Sequence, residues 1–467
     1  MTGTVRLERL YLWLVVPFGL AFALFNPPFR GVPDELAHYL KALALARGEL
    51  GATATAPANY ANLADVLEAD PPAPGPALEA LGRDGALPAK PRFSAASRAR
   101  RGVDPAGVRA SLTEGPSAEL AEFHTRAGYA YPFGYVPQTL GLWLGLTLGA
   151  PPLVAFALGR LLTLAVAAAG ITLAIRVAPF GKCLFLLLAL LPGTLRQTAS
   201  FSYDALHIAG LFLFTAYVLA LAQRPGPLGR GELARLFALS LTGSLTKPGY
   251  VLMPLLVLVL PRRAFRSARA QAGFAVATVG AGLLLTALGR VVLEADTATA
   301  LKADPGGQLA FVLAHPLSFL EAVGRTCLEN GPRYLESLVL MVPGQADLLS
   351  AWLYPLVVLG LVILVRSQDE VVRLSAIQRV VLLGTSLAQA LLVFLSIHLI
   401  SSPVGHGQVL GIQGRYFLAL VPPVVLCFQG GLPLRSEWVR THLRTALLAF
   451  LLAVLGYVVV KLGFHYY

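Results

Sequence analysis

Charge is scarce in this chain. Only 13% of its 467 residues are Asp, Glu, Lys or Arg, about half the roughly 25% that a soluble protein carries. Cysteine is scarcer: three are present, too few for a disulfide framework and without the paired spacing of a zinc site. Cys183 and Cys427 fall within apolar runs, and Cys327 lies in a connector. No motif recurs at a fixed period, which excludes a solenoid. Acidic residues are missing from most of the chain, because the stretches 26–135 and 293–347 hold 19 of the 25, but only 14 of the 37 basic residues.

What fills the chain is apolar. Hydrophobic residues make up 56% of it and the mean hydropathy is +0.67, so the solvent for most of the protein is lipid. A helix needs about 20 apolar residues to cross a bilayer. The first such run, Leu10–Phe25, follows Arg6 and Arg9, lacks a small-residue cleavage site and ends at Asn26-Pro27-Pro28, so it reads as a retained span. Further spans are predicted at 152–175, 183–200, 205–222, 271–292, 348–365, 380–399, 414–430 and 445–462. The stretch 234–260 is interrupted by Thr246-Lys247-Pro248-Gly249 and reads as a hairpin of two short helices or one kinked span. The stretch 133–150 reads as a helix lying at the outer surface or dipping in part-way. The expectation is an all-α integral membrane protein, one polytopic domain over 1–467, with about eleven spans in a range of roughly 10–13.

The net charge of +12 is a topology signal. The short connectors are arginine-rich, with Arg262, Arg263, Arg266 and Arg269 in one, Arg366, Arg373 and Arg379 in another, and Arg435, Arg440 and Arg444 in a third. That is the positive-inside pattern. It predicts a cytoplasmic amino terminus in a plasma (inner) membrane and no nucleic-acid partner. It also makes 26–135 a large first extracytoplasmic loop, irregular over the Pro/Ala/Gly-rich 69–88, and 293–347 a second, mostly helical one.

Charged residues within spans are costly, roughly 2.5–3.5 kcal/mol each on insertion scales, and mark function by default. Arg160, Arg196, Asp204, Lys247, Arg290, Arg415 and Lys461 are the candidates. Arg290 and Lys461 are near span ends and can snorkel, and mid-span Arg160 suits pairing with a polar partner. Arg196, Asp204, Lys247 and Arg415 fall at the outer ends of their helices in this topology, where they can converge on one outward-facing cavity. Beyond the first span, Pro33-Asp34-Glu35-Leu36-Ala37-His38 starts a helix running to about Arg47, with Asp34 and His38 on one face and Glu35 beside them. Each feature has a plain alternative: Asp34 and Asp204 as helix caps, Lys247 as a snorkelling lysine at a hairpin tip, Arg415 and Tyr416 as interfacial anchors.

Five stretches taken in order, PFRGVPDELAHYLKALALARG (28–48), YPFGYVPQTLGLWLG (131–145), LLPGTLRQTASFSYDAL (190–206), LTKPGYVLMPLL (245–256) and GIQGRYFLALVPP (411–423), resemble a bacterial membrane family known as domain of unknown function 2142. That family is similar to a branch of the GT-C superfamily, polytopic glycosyltransferases that use polyprenyl-phosphate-linked sugars. The resemblance implies a GT-C-like fold and an inverting transfer to a cell-envelope glycan, lipid or protein acceptor. It implies catalytic acids Asp34 and Glu35 in the first outer loop and a second acidic position at Asp204. Around them, His38, Arg196, Lys247, Gln413, Arg415 and Tyr416 form the expected substrate-binding set. Arginine's planar fork suits the departing phosphate, with Arg415 first and Lys247 and Arg196 after it. No cofactor is demanded; a divalent cation on Asp34 and Asp204 is the one candidate, since some GT-C enzymes use a metal. A transporter or flippase of lipid-linked saccharides suits intramembrane charge equally, but no internal repeat is visible. A polymerase would not explain Asp34-Glu35 just after the first span, and an inert scaffold would tolerate neutral replacements.

Overall fold

The computed structural model describes residues 6–29, 32–51, 53–67, 104–125, 132–247, 249–292, 304–340, 353–366, 374–429 and 437–466. The expectation for 69–88, and parts of those for 293–347 and the arginine-rich connectors, lie outside them. In chain order the helices are α1 (Leu7–Phe25), α2 (Glu35–Ala46), α3 (Ala58–Ala61), α4 (Leu63–Leu67), α5 (Pro105–Thr113), α6 (Val136–Thr147) and α7 (Pro152–Val177). Then come α8 (Lys182–Ala189), α9 (Pro192–Thr198), α10 (Asp204–Ala222), α11 (Arg230–Ser240), α12 (Thr242–Thr246) and α13 (Ala268–Val292). The last are α14 (Pro305–Ala314), α15 (Pro316–Val339), α16 (Leu353–Arg366), α17 (Ala376–Ser401), α18 (Val421–Leu426) and α19 (Glu437–Tyr466). Among the described residues the regular structure is helical except for one antiparallel pair between α2 and α6, β1 (Thr53–Pro57) with β2 (Leu120–His124), Thr55 opposite Glu122.

Among the described residues six helices are long and apolar enough to cross a membrane: α1, α7, α10, α13 as far as Leu288, α17, and Thr441–Lys461 of α19. Their outward faces carry large apolar side chains such as Trp13, Val276, Leu284 and Val380, each at least 60% exposed. That pattern suits contact with lipid and not water. The remaining apolar stretches are broken. In place of one span over 183–200 there are α8 and α9, separated at Leu190-Leu191 by the restart at Pro192. Thr194 Oγ1 donates to Leu188 O across the break (2.7 Å). The stretch 234–260 becomes α11, α12 and a 3₁₀ turn at Met253–Val259, and 414–430 becomes a 3₁₀ turn at Gly414–Leu420 followed by α18. Irregular backbone at membrane depth is tolerated only where protein surrounds it, and residues 183–200 are buried without exception.

Two hydrophobic cores result. The larger unites α1, the later turns of α7, and α8 to α10 with segments as distant as α19. The smaller is built from α2, the β-pair, α3, α4, α6 and the first turns of α7, around Tyr39, Tyr60, Phe123, Leu142 and Phe156. Helix α6, the 133–150 segment, is therefore a short helix packed on the start of α7. Gly141 makes this approach: a Cβ there would stand 2.5 Å from the Gly159 backbone, so only glycine admits the contact. Its other face, with Val136, Leu140, Trp143 and Leu148, is exposed. The candidate site lies where the two cores meet.

Candidate functional site

The loop leaving α1 delivers Asp34 and Glu35 to opposite fates. Glu35 is fully buried, and its carboxylate accepts from Arg160 Nε (2.9 Å) and Nη2 (2.6 Å), from Phe29 N–H (3.2 Å) and from Phe201 N–H (3.2 Å). Arg160 spends Nη1 on Ala23 O (3.1 Å) and Asn26 O (2.6 Å), the last carbonyls of α1 and its cap. Both members of this pair are satisfied, which is the condition for burying charge without a large penalty. Glu35 thereby ties α1, α2, α7 and the turn before α10 together. The expected catalytic role for it is corrected: no lone pair remains for a substrate.

Asp34 occupies the position before α2, yet its side chain makes no capping hydrogen bond and its φ is +62°. Among the described residues Asp34 and Phe29 are the only non-glycine positions with positive φ, a conformation that costs energy and clusters at functional sites. A cap therefore does not account for Asp34. Its Oδ2 meets Arg415 Nη2 at 2.7 Å, with the Asp34 side chain 59% exposed and that of Arg415 4%.

From Arg415 a chain of alternating charge runs inward. Arg415 Nε lies 4.0 Å from Asp204 Oδ2, and Lys247 Nζ donates to Asp204 Oδ1 at 2.8 Å. Gln197 Nε2 donates to Asp204 Oδ2 (3.3 Å). The structure thus brings together Asp34, Asp204, Lys247 and Arg415, from four segments that are remote in the chain. Gly414 sets the arginine's place, since its N–H donates to Ser337 Oγ (2.6 Å) and a Cβ there would strike Tyr334 O. Lys247 Nζ sits over the Tyr416 ring at 4.2 Å and near that of Tyr203 at 5.4 Å, contacts that favour a cation. Tyr250 OH donates to Tyr416 O.

His38, one helical turn beyond Asp34, pairs Nδ1 with Tyr135 OH (2.7 Å) and sets its ring against the edge of Tyr203. Burial, and then the neighbouring Arg415 charge, push its pKa down to about 4, so the imidazole is neutral at physiological pH. Gln413 is half-buried beside Arg415, and its Oε1 has no partner. Arg196 is placed differently from the expectation: its guanidinium bonds Asn26 Oδ1 (3.5 Å) and Leu340 O (3.4 Å), behind the loop that carries Asp34.

Tyr135, Gln138, Gln197, Tyr203 and His207 belong to the site and were not singled out from the sequence. The one available signal was spacing, as Asp204 and His207 are three apart on one helix face. A divalent cation does not fit these residues. Asp34 and Asp204 are each neutralised by a resident cation, Arg415 stands between them, and among the described residues no group of three or more His, Cys, Asp or Glu could hold a metal ion.

The chain belongs to the family described as predicted membrane protein (DUF2142), whose model matches residues 17–424 and so contains all four charged residues. No curated protein and no solved structure matches it.

Proposed function

We propose that the protein is an inverting glycosyltransferase of GT-C type, moving a sugar from a polyprenyl-phosphate-linked donor to a cell-envelope acceptor. One observation carries this reading: the exposed, conformationally strained Asp34 lies against the buried Arg415, backed by Asp204 and Lys247. Inverting transfer needs a carboxylate at the acceptor hydroxyl and fixed positive charge at the departing phosphate, and these two requirements stand side by side here. In the step, the acceptor oxygen bonds to the anomeric carbon while the bond from that carbon to the phosphate oxygen breaks. The acceptor proton passes to Asp34, and the electron pair leaves on the phosphate, held by Arg415 and Lys247.

The resting cluster has two carboxylates and two cations, so an incoming phosphate must displace one carboxylate from its partner. Asp34 is the exposed and singly held one, whereas Asp204 is buried between Lys247 and Gln197. Phosphate binding at Arg415 thus frees Asp34 as the base. Arginine-rich connectors support placing this end of the bundle outside a plasma membrane, with the amino terminus in the cytoplasm. The shorter apolar pieces, α8 with α9, the two arms of 234–260, α16 and 414–426, are the five further crossings that an eleven-span topology needs beyond the six long helices. The polyprenyl chain lies along the apolar flanks.

The test is complementation of a null mutant with wild type and Asp34→Asn at equal membrane levels, reading surface glycans and the pool of polyprenyl-linked sugars. Wild type should restore a missing glycan, and Asp34→Asn should leave the lipid-linked donor to accumulate. Full complementation by Asp34→Asn would overturn the assignment and favour a transporter of lipid-linked saccharides.

A further inference from the structure

Three buried polar atoms around the turn that begins α10 have no hydrogen-bond partner among the described residues, and their hydrogen-bonding sense is fixed by what surrounds them. Gln138, fully buried near the start of α6, donates Nε2–H to Phe201 O (3.2 Å) and Ser202 O (3.1 Å), which leaves Oε1 alone. Gln197, 1% exposed, donates Nε2–H to the Asp204 carboxylate, and its Oε1 is also alone. Turning either amide over would set oxygen against oxygen, so both orphan atoms are acceptors. His207 gives a third. The Thr246 hydroxyl donates to Thr242 O at 2.6 Å, so His207 Nδ1 must donate to Thr246 Oγ1 (2.9 Å). The other ring nitrogen, Nε2, then carries a bare lone pair with no partner.

An excess of buried acceptors selects its ligand by chemistry. Phosphate and carboxylate bring only acceptors and leave these atoms unmet, at a cost of about 1–3 kcal/mol each. A ring bearing several hydroxyls brings donors. We propose that the turn from Gln197 to His207, with Gln138 fastened to it, binds a neutral, hydroxyl-rich sugar ring, with Gln138 Oε1, Gln197 Oε1 and His207 Nε2 reading its hydroxyl protons. This rests on the glycosyltransferase reading and divides its site in two. The phosphate belongs beside Arg415, and the glycosyl unit beside Asp204. The donor sugar is accordingly a hexose or pentose and not a uronic acid, whose carboxylate would meet acceptors and the Asp204 charge.

The experiment measures binding to the full chain in lipid nanodiscs with four probes: a polyprenyl monophosphate, its hexosyl ester, a methyl hexoside and a methyl hexuronide. The variants are Gln197→Met, which at similar volume removes the amide acceptor together with the donor to Asp204, and His207→Asn, which retains a donor toward Thr246 and removes Nε2. Each variant should bind the hexosyl lipid about tenfold or more weakly, while in His207→Asn, which leaves the hydrogen bonds of Asp204 in place, the sugar-free lipid phosphate stays within about twofold of wild type. The hexuronide should not bind. Equal losses for both lipids, or no loss for the hexosyl lipid, would overturn the subsite, and equal binding of hexuronide and hexoside would overturn its neutrality. If wild type binds neither lipid, the lipid-phosphate reading fails by itself. In that case methyl hexoside binding that His207→Asn abolishes keeps the sugar subsite, and failure of the hexoside to bind removes it. His207→Asn supplies the decision where Gln197→Met does not fold.

Discussion

Asp34 and Glu35 are neighbours in the chain, each paired with an arginine, and they do different work. The Glu35–Arg160 pair is closed: neither side chain is more than 1% exposed, and the carboxylate holds four donors. The Asp34–Arg415 pair is open on one side, held by a single short contact and set on a left-handed backbone. The closed pair fixes where the smaller core, built on α2 and the strand pair, meets the helices of the larger one. The open pair, one residue earlier, leaves the Asp34 carboxylate largely exposed. Charge and residue type do not separate the two; satisfaction of hydrogen bonds does.

The largest effect should come from breaking the closed pair. Arg160→Met leaves Glu35 buried with neither of its charged donors, and removal of one partner of a buried ion pair costs roughly 3–5 kcal/mol. That is enough to deplete the folded protein, read as loss of membrane level and a fall in thermal midpoint in detergent. The double variant Arg160→Met with Glu35→Gln should recover part of the midpoint, because no unpaired charge remains. A single variant as stable as wild type would refute the structural assignment of the pair.

The open pair should respond in the opposite manner. Asp34→Asn should lower the thermal midpoint much less than Arg160→Met does, because the Asp34 side chain is 59% exposed and Arg415 keeps Asp204 at 4.0 Å. On the proposed transferase reading, transfer should fall by roughly 10²- to 10⁴-fold, as expected for loss of a general base. Affinity for sugar-free polyprenyl phosphate should rise at the same time, because Arg415 no longer has to release a carboxylate. Weaker phosphate binding in Asp34→Asn would rule out the displacement step.

The sequence made one half of this contrast readable. Alternating topology and arginine-rich connectors assign Asp34, Arg196, Asp204, Lys247 and Arg415 to the same end of the bundle, and the structure links four of them in one chain of charge pairs, with Arg196 set behind the loop that carries Asp34. The other half was hidden. Adjacent residues on a helix point about 100° apart, and which of the two acids turned inward depended on the left-handed φ at Asp34 and on Arg160, 125 residues away from Glu35. The breaks at Pro192 and within 414–426 were equally opaque to hydropathy, which counts apolar residues and does not know whether protein or lipid surrounds them. The strand pair was missed because Thr53–Pro57 and Leu120–His124 are short and more than sixty residues apart, so local pattern carries little of their pairing.

The smallest effect concerns His38, which lies one turn beyond Asp34 on a helix outside the six long spans, against Tyr135 and Tyr203, and tests whether the smaller core is locked onto the site. Its folded pKa, about 4, lies below the ordinary 6.5, so the folded state prefers the neutral ring. Above pH 6.5 both states are neutral and the histidine adds no pH dependence. As pH falls from 6.5 towards 4, the unfolded chain takes up a proton that the folded one refuses. At 1.36 kcal/mol per pH unit, roughly 3 kcal/mol of stability is withdrawn. Thermal midpoints in detergent should therefore drop across that window for wild type and stay flatter for His38→Gln, with Asp34, Asp204, Arg415 and Lys247 unchanged around it. Tyr135→Phe removes the hydroxyl at Nδ1 and should cost about 1 kcal/mol at neutral pH, with the acid slope retained because burial, not the tyrosine, excludes the charged ring. If Tyr135→Phe flattened the acid slope as His38→Gln does, the hydrogen bond would be holding the ring neutral. The smaller core would then be coupled to the open pair through that tyrosine rather than through packing.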